Sequence, residues 1–244
     1  MSGLDLGEAM KTIFFCGDTH SRFRHLIAAV KQHRPAAIVL LGDVEATQPL
    51  QHELAAILSL TEIYWIVGNH DTDSESAYDH LYGSTLRERN LHGRVVDVAG
   101  VRIAGLGGIF REKVWLPPAE PIYESAKEFM RTGDRHNRWR GGLPLRHRST
   151  IFADDYHALA RLQTDVLVVH GAPGEHPQGH EAYELLAVTM GAQKLFHGHT
   201  HDSLPYRMQA IQMFGVGLRG ITALDGTKIV PGELDDARAY RGNR

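Results

Sequence analysis

The sequence predicts an α/β fold with a largely parallel core sheet, and two observations support that class. Short apolar runs of β character, such as residues 63–67, alternate along the chain with segments whose apolar residues recur at helical spacing. This alternation is typical of parallel strands joined by helices. Several of the runs also end in glycine followed directly by polar side chains, where open α/β sheets place their ligands.

The predicted elements follow one another along most of the chain. Strands are predicted over residues 12–16, 36–41, 63–67, 165–169 and 194–196, with a hairpin formed by 95–98 and 101–106 and final strands within 206–216 and 220–224. Helices are predicted over residues 22–33, 49–60, 74–82, 150–162 and 181–190. Pro35 ends the first helix, because proline lacks the N–H that a helix interior requires.

One segment departs from this pattern. Between residues 109 and 150 the composition changes, with Pro117-Pro118 followed by six arginines from position 131 to 148 and only Asp134 as a counter-charge. We interpret residues 109–150 as an insertion or cap that adds no core element. Residues 1–231 are predicted to form a single domain, and residues 232–244 a polar, flexible tail.

The bulk composition excludes several classes. The 26 basic and 29 acidic residues give a net charge of -3, so no general attraction to nucleic acid or to an anionic membrane is implied. Cys16 is the single cysteine, which excludes an intramolecular disulfide and fits a reducing compartment. Residues 1–10 lack the features of a signal peptide, and no apolar run approaches the roughly 20 residues of a membrane helix. A cytoplasmic protein is expected.

Seven side chains that follow the predicted strands have the chemistry of metal ligands. They are Asp18, His20, Asp43, Asn69, His170, His199 and His201. Residues two apart in extended backbone point to the same side, so Asp18 with His20, and His199 with His201, can each present two ligands to one place. Seven ligands exceed the need of one ion with an open position and suit two ions sharing a carboxylate. Mixed imidazole and carboxylate ligation favours Mn, Fe or Zn over Mg or Ca.

Five short blocks in this order carry a resemblance to a known family. They are Gly17-Asp18-Thr19-His20, Gly42-Asp43, Gly68-Asn69-His70-Asp71, Val169-His170-Gly171 and Gly198-His199-Thr200-His201. Together they resemble the calcineurin-like metallophosphoesterase superfamily. The resemblance implies a four-layer αββα sandwich of two mixed β-sheets flanked by helices, with the site on loops at the sheet edges.

The resemblance also implies a role for each site residue. Asp18, His20 and His201 are expected to hold one ion, and Asn69, His170 and His199 the other. Asp43 is expected to bridge the two ions. His70 is expected to lie beside the phosphate as a proton donor or transition-state stabiliser. From its position next to His70, Asp71 is interpreted either as the group that orients His70 or as a helix or turn cap.

These expectations predict a dinuclear metal-dependent phosphoric ester hydrolase that uses a metal-bridging hydroxide as nucleophile. The expected cofactors are two divalent ions, Mn and/or Fe with Zn as an alternative, and the expected partner is a small phosphorylated substrate. Val44-Glu45-Ala46-Thr47 and Asp71 depart from the protein-phosphatase pattern, and His70-Asp71 is similar to the ending in phosphodiesterase branches. One alternative is a nuclease or nucleotide phosphodiesterase on the same site, and another is a non-catalytic binding module.

The arginine-rich segment has two interpretations. It is either a solvated surface or a cap that places guanidinium groups near a phosphorylated substrate. On the second interpretation the candidate substrate-binding residues are Arg111, Arg138 and Arg140. His176 and His180, in the loop after His170, are close enough in sequence to reach the site, but they are interpreted as solvent-exposed residues. The sequence leaves the oligomeric state open.

Overall fold

The structure is a computed structural model that describes residues 13–132, 138–208 and 211–235. Thr12 of the first predicted strand, residues 1–10 and residues 236–244 of the predicted tail lie outside the described residues, as does part of the arginine-rich segment. Of the helices in the described ranges, none combines the length and apolar character that a bilayer crossing requires.

The described strands form two sheets, both of which mix parallel and antiparallel neighbours. The strands are β1 Ile13–Cys16, β2 Ala37–Leu40, β3 Glu62–Trp65, β4 Arg94–Val98, β5 Val101–Leu106, β6 Val166–Val169, β7 Lys194–His197, β8 Pro205–Met208, β9 Ile211–Gly215, β10 Ile221–Ala223 and β11 Lys228–Val230. The first sheet has the order β11-β10-β1-β2-β3 and the second the order β4-β5-β6-β7-β9-β8. In the first sheet β1, β2 and β3 run parallel, as do β5, β6, β7 and β9 in the second.

The described helices lie mainly where the apolar spacing predicted them. They are Arg24–His33, Leu50–Glu53, Glu75–Tyr82, Ala126–Thr132, Ala153–Leu159 and Glu181–Thr189, with 3-10 turns at Ala55–Ile57, His70–Thr72, Arg87–Arg89 and Leu145–Ser149. The predicted helix over 49–60 is wrong in its length: it consists of a short α-helix and a 3-10 turn, which still bury Leu50, Leu54 and Ile57.

The two sheets pack face to face over an apolar layer. β1, β2 and β6 are buried on both faces, which explains why they are continuous apolar runs without alternation. Phe15 of β1 and Phe196 of β7 stack across this layer with ring centroids 3.8 Å apart. A second apolar layer joins the first sheet to its helices, and a third joins the second sheet to Ala153–Leu159 and Glu181–Thr189. The predicted αββα sandwich is confirmed.

Part of the segment 109–150 belongs to the core. Phe110, Val114 and Trp115 are buried in the third apolar layer, so the prediction that this segment adds no core element is wrong at its start. The two ends of the segment also pair in extended conformation, because Ile109 bridges Thr150. For that reason the helix predicted from residue 150 begins only at Ala153.

Two further differences lie near the C-terminus. The predicted strand over 206–216 is a hairpin of β8 and β9, and β11 was not predicted. In the predicted tail, the described residues 232–235 contact the sandwich: the Asp235 carboxylate accepts hydrogen bonds from the backbone N–H groups of Ser203 and Gly232.

Candidate metal centre

The predicted ligands meet because strand topology places them at adjacent sheet edges. Asp18, Asp43 and Asn69 follow the parallel strands β1, β2 and β3, whose carboxyl ends share one edge of the first sheet. His170 follows β6, and His199 and His201 follow β7, at the same end of the second sheet. The two edges touch directly, since the His199 N–H donates to both Asp18 carboxylate oxygens at 3.0 and 2.9 Å.

The side chains form two groups of potential ligand atoms. In one group, atoms of Asp18, His20 and His201 all lie within 4.8 Å of one another, and in the other, atoms of Asp43, His170 and His199 do. Asn69 belongs with the second group, because its Oδ1 lies 3.1 Å from His170 Nε2. These are the two sets that the family resemblance implied.

The donor chemistry of these groups fits divalent cations. Asp18 and Asp43 are buried, and neither forms an ion pair with lysine or arginine within the described residues. Burial, together with the neighbouring Asp43 charge, raises the pKa of Asp18 to about 7 against the opposing effect of His170. Burying carboxylates without a cation is costly, so bound metal ions would supply the missing positive charge.

The histidines of the second group have the nitrogen atoms that ligation needs. His170 Nδ1 lies 2.7 Å from the Leu41 carbonyl oxygen, so a proton on Nδ1 leaves Nε2 free as a ligand atom. Burial, followed by the charge of His170, lowers the pKa of His199 to about 4, which favours the neutral imidazole that a metal requires. Burial by itself lowers the pKa of His170, but Asp43 beside it raises that pKa overall.

The backbone at the ligands is unusual. Among non-glycine residues with positive φ are five of the seven candidate ligands: Asp18 at 22°, His20 at 39°, Asp43 at 45°, His199 at 69° and His201 at 61°. Each such residue costs on the order of 1–3 kcal/mol and persists only where surrounding contacts hold it. Strain of this kind is typical of functional sites.

His70 lies beside the centre, but its partner is not the predicted one. Its Nδ1 is 2.6 Å from Asp73 Oδ2, and 47% of its side chain is exposed. Burial by itself lowers the pKa of His70, but the Asp73 hydrogen bond and the nearby carboxylates raise it overall. Asp71 is fully buried, and its carboxylate accepts hydrogen bonds from the backbone N–H groups of Glu45 and Gly68. The interpretation that Asp71 orients His70 is therefore wrong, and Asp73 makes that contact.

Sequence reasoning missed a further acidic residue at the centre. Glu45, two residues after Asp43, hydrogen-bonds through Oε2 to His20 Nδ1. With Nδ1 engaged in that contact, Nε2 of His20 faces Nε2 of His201 at a distance of 3.1 Å. The i, i+2 spacing of Asp43 and Glu45 was the available signal, and the same logic had paired Asp18 with His20.

A cleft of about 980 Å³ lies beside the centre, lined by Asn69 and His70 on one side and by residues 109–113 and 144–147 of the predicted cap on the other. Arg111 lines it, as do Lys113 and Arg146.

Arg138 and Arg140, the other two predicted substrate-binding residues, do not line the cleft. Arg140 Nη1 instead donates to Asp79 Oδ1 at 2.6 Å, and Arg138 Nη2 donates to the Met130 carbonyl at 2.6 Å. As substrate-binding candidates, Arg138 and Arg140 are wrong on this geometry.

The loop after His170 also differs from expectation at one position. His176 is buried, and its Nε2 lies 3.2 Å from Asp202 Oδ2. The prediction that His176 is solvent-exposed is wrong, because the loop folds back onto the segment that follows His201. His180, the residue before the helix Glu181–Thr189, is half-buried and not fully exposed as predicted.

Comparisons with known proteins agree with this architecture. A family model described as calcineurin-like phosphoesterase matches residues 11–203. The chain therefore belongs to the calcineurin-like phosphoesterase family, and the resemblance found in its five sequence blocks is confirmed. Membership supports hydrolysis of phosphoesters as the class of activity.

Individual relatives are similar over nearly the whole chain. An uncharacterized protein from Haemophilus influenzae is 39% identical over 225 residues, which cover 92% of this chain and 98% of the relative. The crystal structure of phosphopantetheinyl hydrolase from Mycobacterium tuberculosis matches with a TM-score of 0.53 at 14% identity, covering 86% of this chain and 90% of that one. The crystal structure of TT1561 from Thermus thermophilus matches with a TM-score of 0.50 at 14% identity, covering 87% and 94%. At 14% identity, the similarity to these two crystal structures concerns the fold alone.

Proposed function

We propose that the protein is a dinuclear metal-dependent phosphoric ester hydrolase that acts on small phosphorylated substrates. The observation that carries the proposal is the position of the two ligand groups, one contributed mainly by each sheet end, beside a cleft lined by Asn69 and His70. Asp18, His20 and His201 would hold one ion, Asn69, His170 and His199 the other, and Asp43 would bridge them. Mn and/or Fe fit this mixed donor set, with Zn as an alternative.

The bound cations and the side chains of the protein would supply different parts of the reaction. Two bound cations would lower the pKa of water to give a nucleophile and offset charge on the phosphoryl oxygens. The chain supplies the proton. Because Asp73 engages Nδ1 of His70, Nε2 is the ring nitrogen available to donate to a leaving oxygen in the cleft. Arg111, on the far wall of the same cleft, contributes positive charge toward the substrate.

The experiment that tests the proposal combines activity with metal content. Protein loaded with Mn is assayed on p-nitrophenyl phosphate and bis-p-nitrophenyl phosphate, which also separates monoesterase from diesterase activity. Asp43→Asn is expected to lower kcat/KM by more than about 100-fold and to reduce bound metal measured by elemental analysis, since a ligand matters more than an outer contact. Asp154→Asn, which removes an exposed carboxylate from a helix N-terminus, is the control.

Two outcomes would favour the alternatives. A fully metal-loaded protein inert towards both esters contradicts the proposal and supports a non-catalytic binding module. Hydrolysis of a single-stranded oligonucleotide, with affinity that falls steeply as salt rises, supports a nuclease instead, because salt sensitivity reports the number of phosphates bound. We expect little affinity for the oligonucleotide.

A further inference from the structure

The arginines of the segment 109–150 differ in how they are bound. Arg140 forms ion pairs with Asp79 and Glu75 of the helix Glu75–Tyr82, and its guanidinium lies 4.1 Å from the Trp139 ring centroid. Arg148 Nη1 donates to the Tyr78 hydroxyl at 3.0 Å. These side chains attach the segment to the helix and leave few donors for a ligand.

The cations that line the cleft are bound differently. Within the described residues, no carboxylate forms an ion pair with Arg111, Lys113 or Arg146, and Lys113 and Arg146 are exposed. The three charges act on one another: burial and then Arg146 lower the pKa of Arg111 against the opposing effect of Asp73, and burial followed by Arg111, Arg146 and Lys113 lowers the pKa of His147. Three like charges that line one cleft and form no ion pair within the described residues attract an anion.

Arg111 is also held in place relative to the metal centre. Its Nε donates to Thr150 Oγ1 at 3.0 Å and its Nη2 to Ser149 Oγ at 3.3 Å. Ser149 Oγ lies 2.7 Å from Thr72 Oγ1, and Thr72 Oγ1 donates to the Asn69 carbonyl at 3.1 Å. The cationic wall and the candidate ligand Asn69 are thus joined through a short chain of buried hydroxyl groups.

We infer that the substrate carries a second anionic group, a phosphate or a carboxylate, and that Arg111, Lys113 and Arg146 bind it while the scissile phosphoester lies at the metal centre. The inference rests on the proposed function and names the substrate class of that site. The cleft of about 980 Å³ is at the large end of small-molecule sites and exceeds the need of one phosphoryl group. Two carboxylates, Glu112 and Asp73, line the cleft as well, and the three cations exceed them by one charge.

Matched substrate pairs test the inference. Glycerol 3-phosphate is compared with 3-phosphoglycerate, which adds a carboxylate, and adenosine 5′-monophosphate with adenosine 3′,5′-bisphosphate, which adds a phosphate. The Mn-loaded protein is expected to prefer the doubly anionic member of at least one pair by about tenfold in kcat/KM, as expected for a charge-assisted hydrogen bond. The pair that shows the preference identifies the second group.

Variants then assign the preference to the cleft. Arg146→Gln and Lys113→Gln are expected to remove it by raising KM for the doubly anionic member while changing its kcat little. Arg131→Gln, which removes an exposed arginine of the same segment outside the cleft, is expected to leave the preference intact.

The outcomes separate this inference from the proposed function. Hydrolysis of p-nitrophenyl phosphate with equal kcat/KM for both members of each pair overturns the inference alone. A preference that survives in both cleft variants, or that Arg131→Gln removes equally, also overturns it. Absence of hydrolysis on every substrate, with metal bound, overturns the proposed function and the inference together.

Discussion

At the scale of single residues, the two carboxylates next to His70 in the same short turn have different roles. His70 lines the cleft, and 47% of its side chain is exposed. Its Nδ1 forms a hydrogen bond with Asp73, three residues further along the chain. Asp71 lies between them in sequence but points inward to two backbone N–H groups. Burial, followed by the Asp43 charge, raises the pKa of Asp71 to about 7. The His70 ring is therefore oriented by an exposed carboxylate, and the loop is held by a buried one.

This geometry predicts distinct effects for two substitutions. His70→Ala is expected to lower kcat by on the order of 100-fold or more, since it removes the proposed proton donor, and to leave the metal content unchanged. Asp73→Asn is expected to lower kcat by less, because the ring stays in the cleft but loses its orienting carboxylate. Steady-state kinetics and elemental analysis check both. Loss of metal from His70→Ala would show that His70 is a ligand, and an unchanged kcat for Asp73→Asn would exclude the orienting role.

At the scale of elements, the turns after the strands determine where the ligands lie. Gly42, after β2, has φ +94°, and a Cβ built on it would lie 2.5 Å from His170 Nδ1 and 2.7 Å from the Gly68 backbone nitrogen. The turn that presents Asp43 therefore requires glycine for two reasons, its backbone conformation and the close approach of Gly68 and His170, which follow β3 and β6. Gly93 also has positive φ, at +73°, but a Cβ there would meet no atom within 4 Å.

Alanine substitutions at Gly42 and Gly93 distinguish the cost of an unfavourable backbone conformation from the cost of steric collision. Gly93→Ala carries only the conformational cost, so we expect it to lower the free energy of unfolding by about 1 kcal/mol. Gly42→Ala adds contacts that cannot relax cheaply, and we expect a loss of more than about 3 kcal/mol together with weaker Mn binding. Urea unfolding of the metal-free proteins measures the first quantity and calorimetric titration the second. Equal losses at both positions would contradict the close approach.

A second element-scale prediction concerns pH and the pairing of β5 with β6. Arg102 of β5 donates through Nη2 to Asp165 Oδ1 at 2.6 Å, and its hydrogen bond lowers the pKa of Asp165. Because the pKa is lower in the folded state, the pair stabilises the fold above the unfolded-state pKa of about 4, and that contribution is lost as pH falls through the folded-state value.

Urea unfolding of the wild type and Asp165→Asn at several pH values checks the direction of this pH dependence. We expect the wild type to be the more stable at pH 7 and the difference to shrink towards pH 3. Both side chains are partly exposed, so the effect is small and decreases with salt. Glu120→Gln, which removes an exposed carboxylate from a loop outside both sheets, is the control and is expected to show no such pH dependence. A difference that grows as pH falls would contradict the pairing.

At the scale of the whole molecule, the candidate metal centre joins the two sheets. Asp18, Asp43 and Asn69 come from the end of the first sheet, and His170, His199 and His201 from the end of the second. Elsewhere the sheets meet mainly through apolar side chains such as Phe15 and Phe196. Bound cations would therefore cross-link the sandwich at one end, where carboxylates are otherwise buried without lysine or arginine partners in the described part of the chain.

The expected consequence is a large thermal shift on metal binding. A cation present at 100 times its Kd adds about 2.7 kcal/mol to the free energy of unfolding, which raises Tm by about 5–10 °C in a chain of this size. Addition of Mn to chelator-treated protein, followed by differential scanning calorimetry, measures the shift. Asp43→Asn is expected to lose most of it. A wild-type Tm that responds to no transition metal would contradict a cross-link between the sheets.

Much of the fold and of the ligand set was predictable because its signals are local. The continuous apolar runs of β1, β2, β3 and β6 are legible since both faces of those strands are buried. The contacts of Asp73, Lys113 and Arg146 were not predicted, since nothing in their own sequence neighbourhood distinguishes them from surface charges, and the spacing of Glu45 from Asp43 was a signal that went unused. Arg140 shows the converse: it has the same residue type as Arg111 but is paired with a helix 61 residues away.

The sequence by itself determined most of the strand and helix segments, the seven side chains with ligand chemistry and the family to which they point, because periodicity and short blocks depend only on neighbouring residues. Only the tertiary structure decided which carboxylate holds His70, which cations line the cleft and which attach the segment 109–150 to the helix Glu75–Tyr82. Those contacts join residues from different elements, and their distances depend on how two sheets and a long connecting segment pack together.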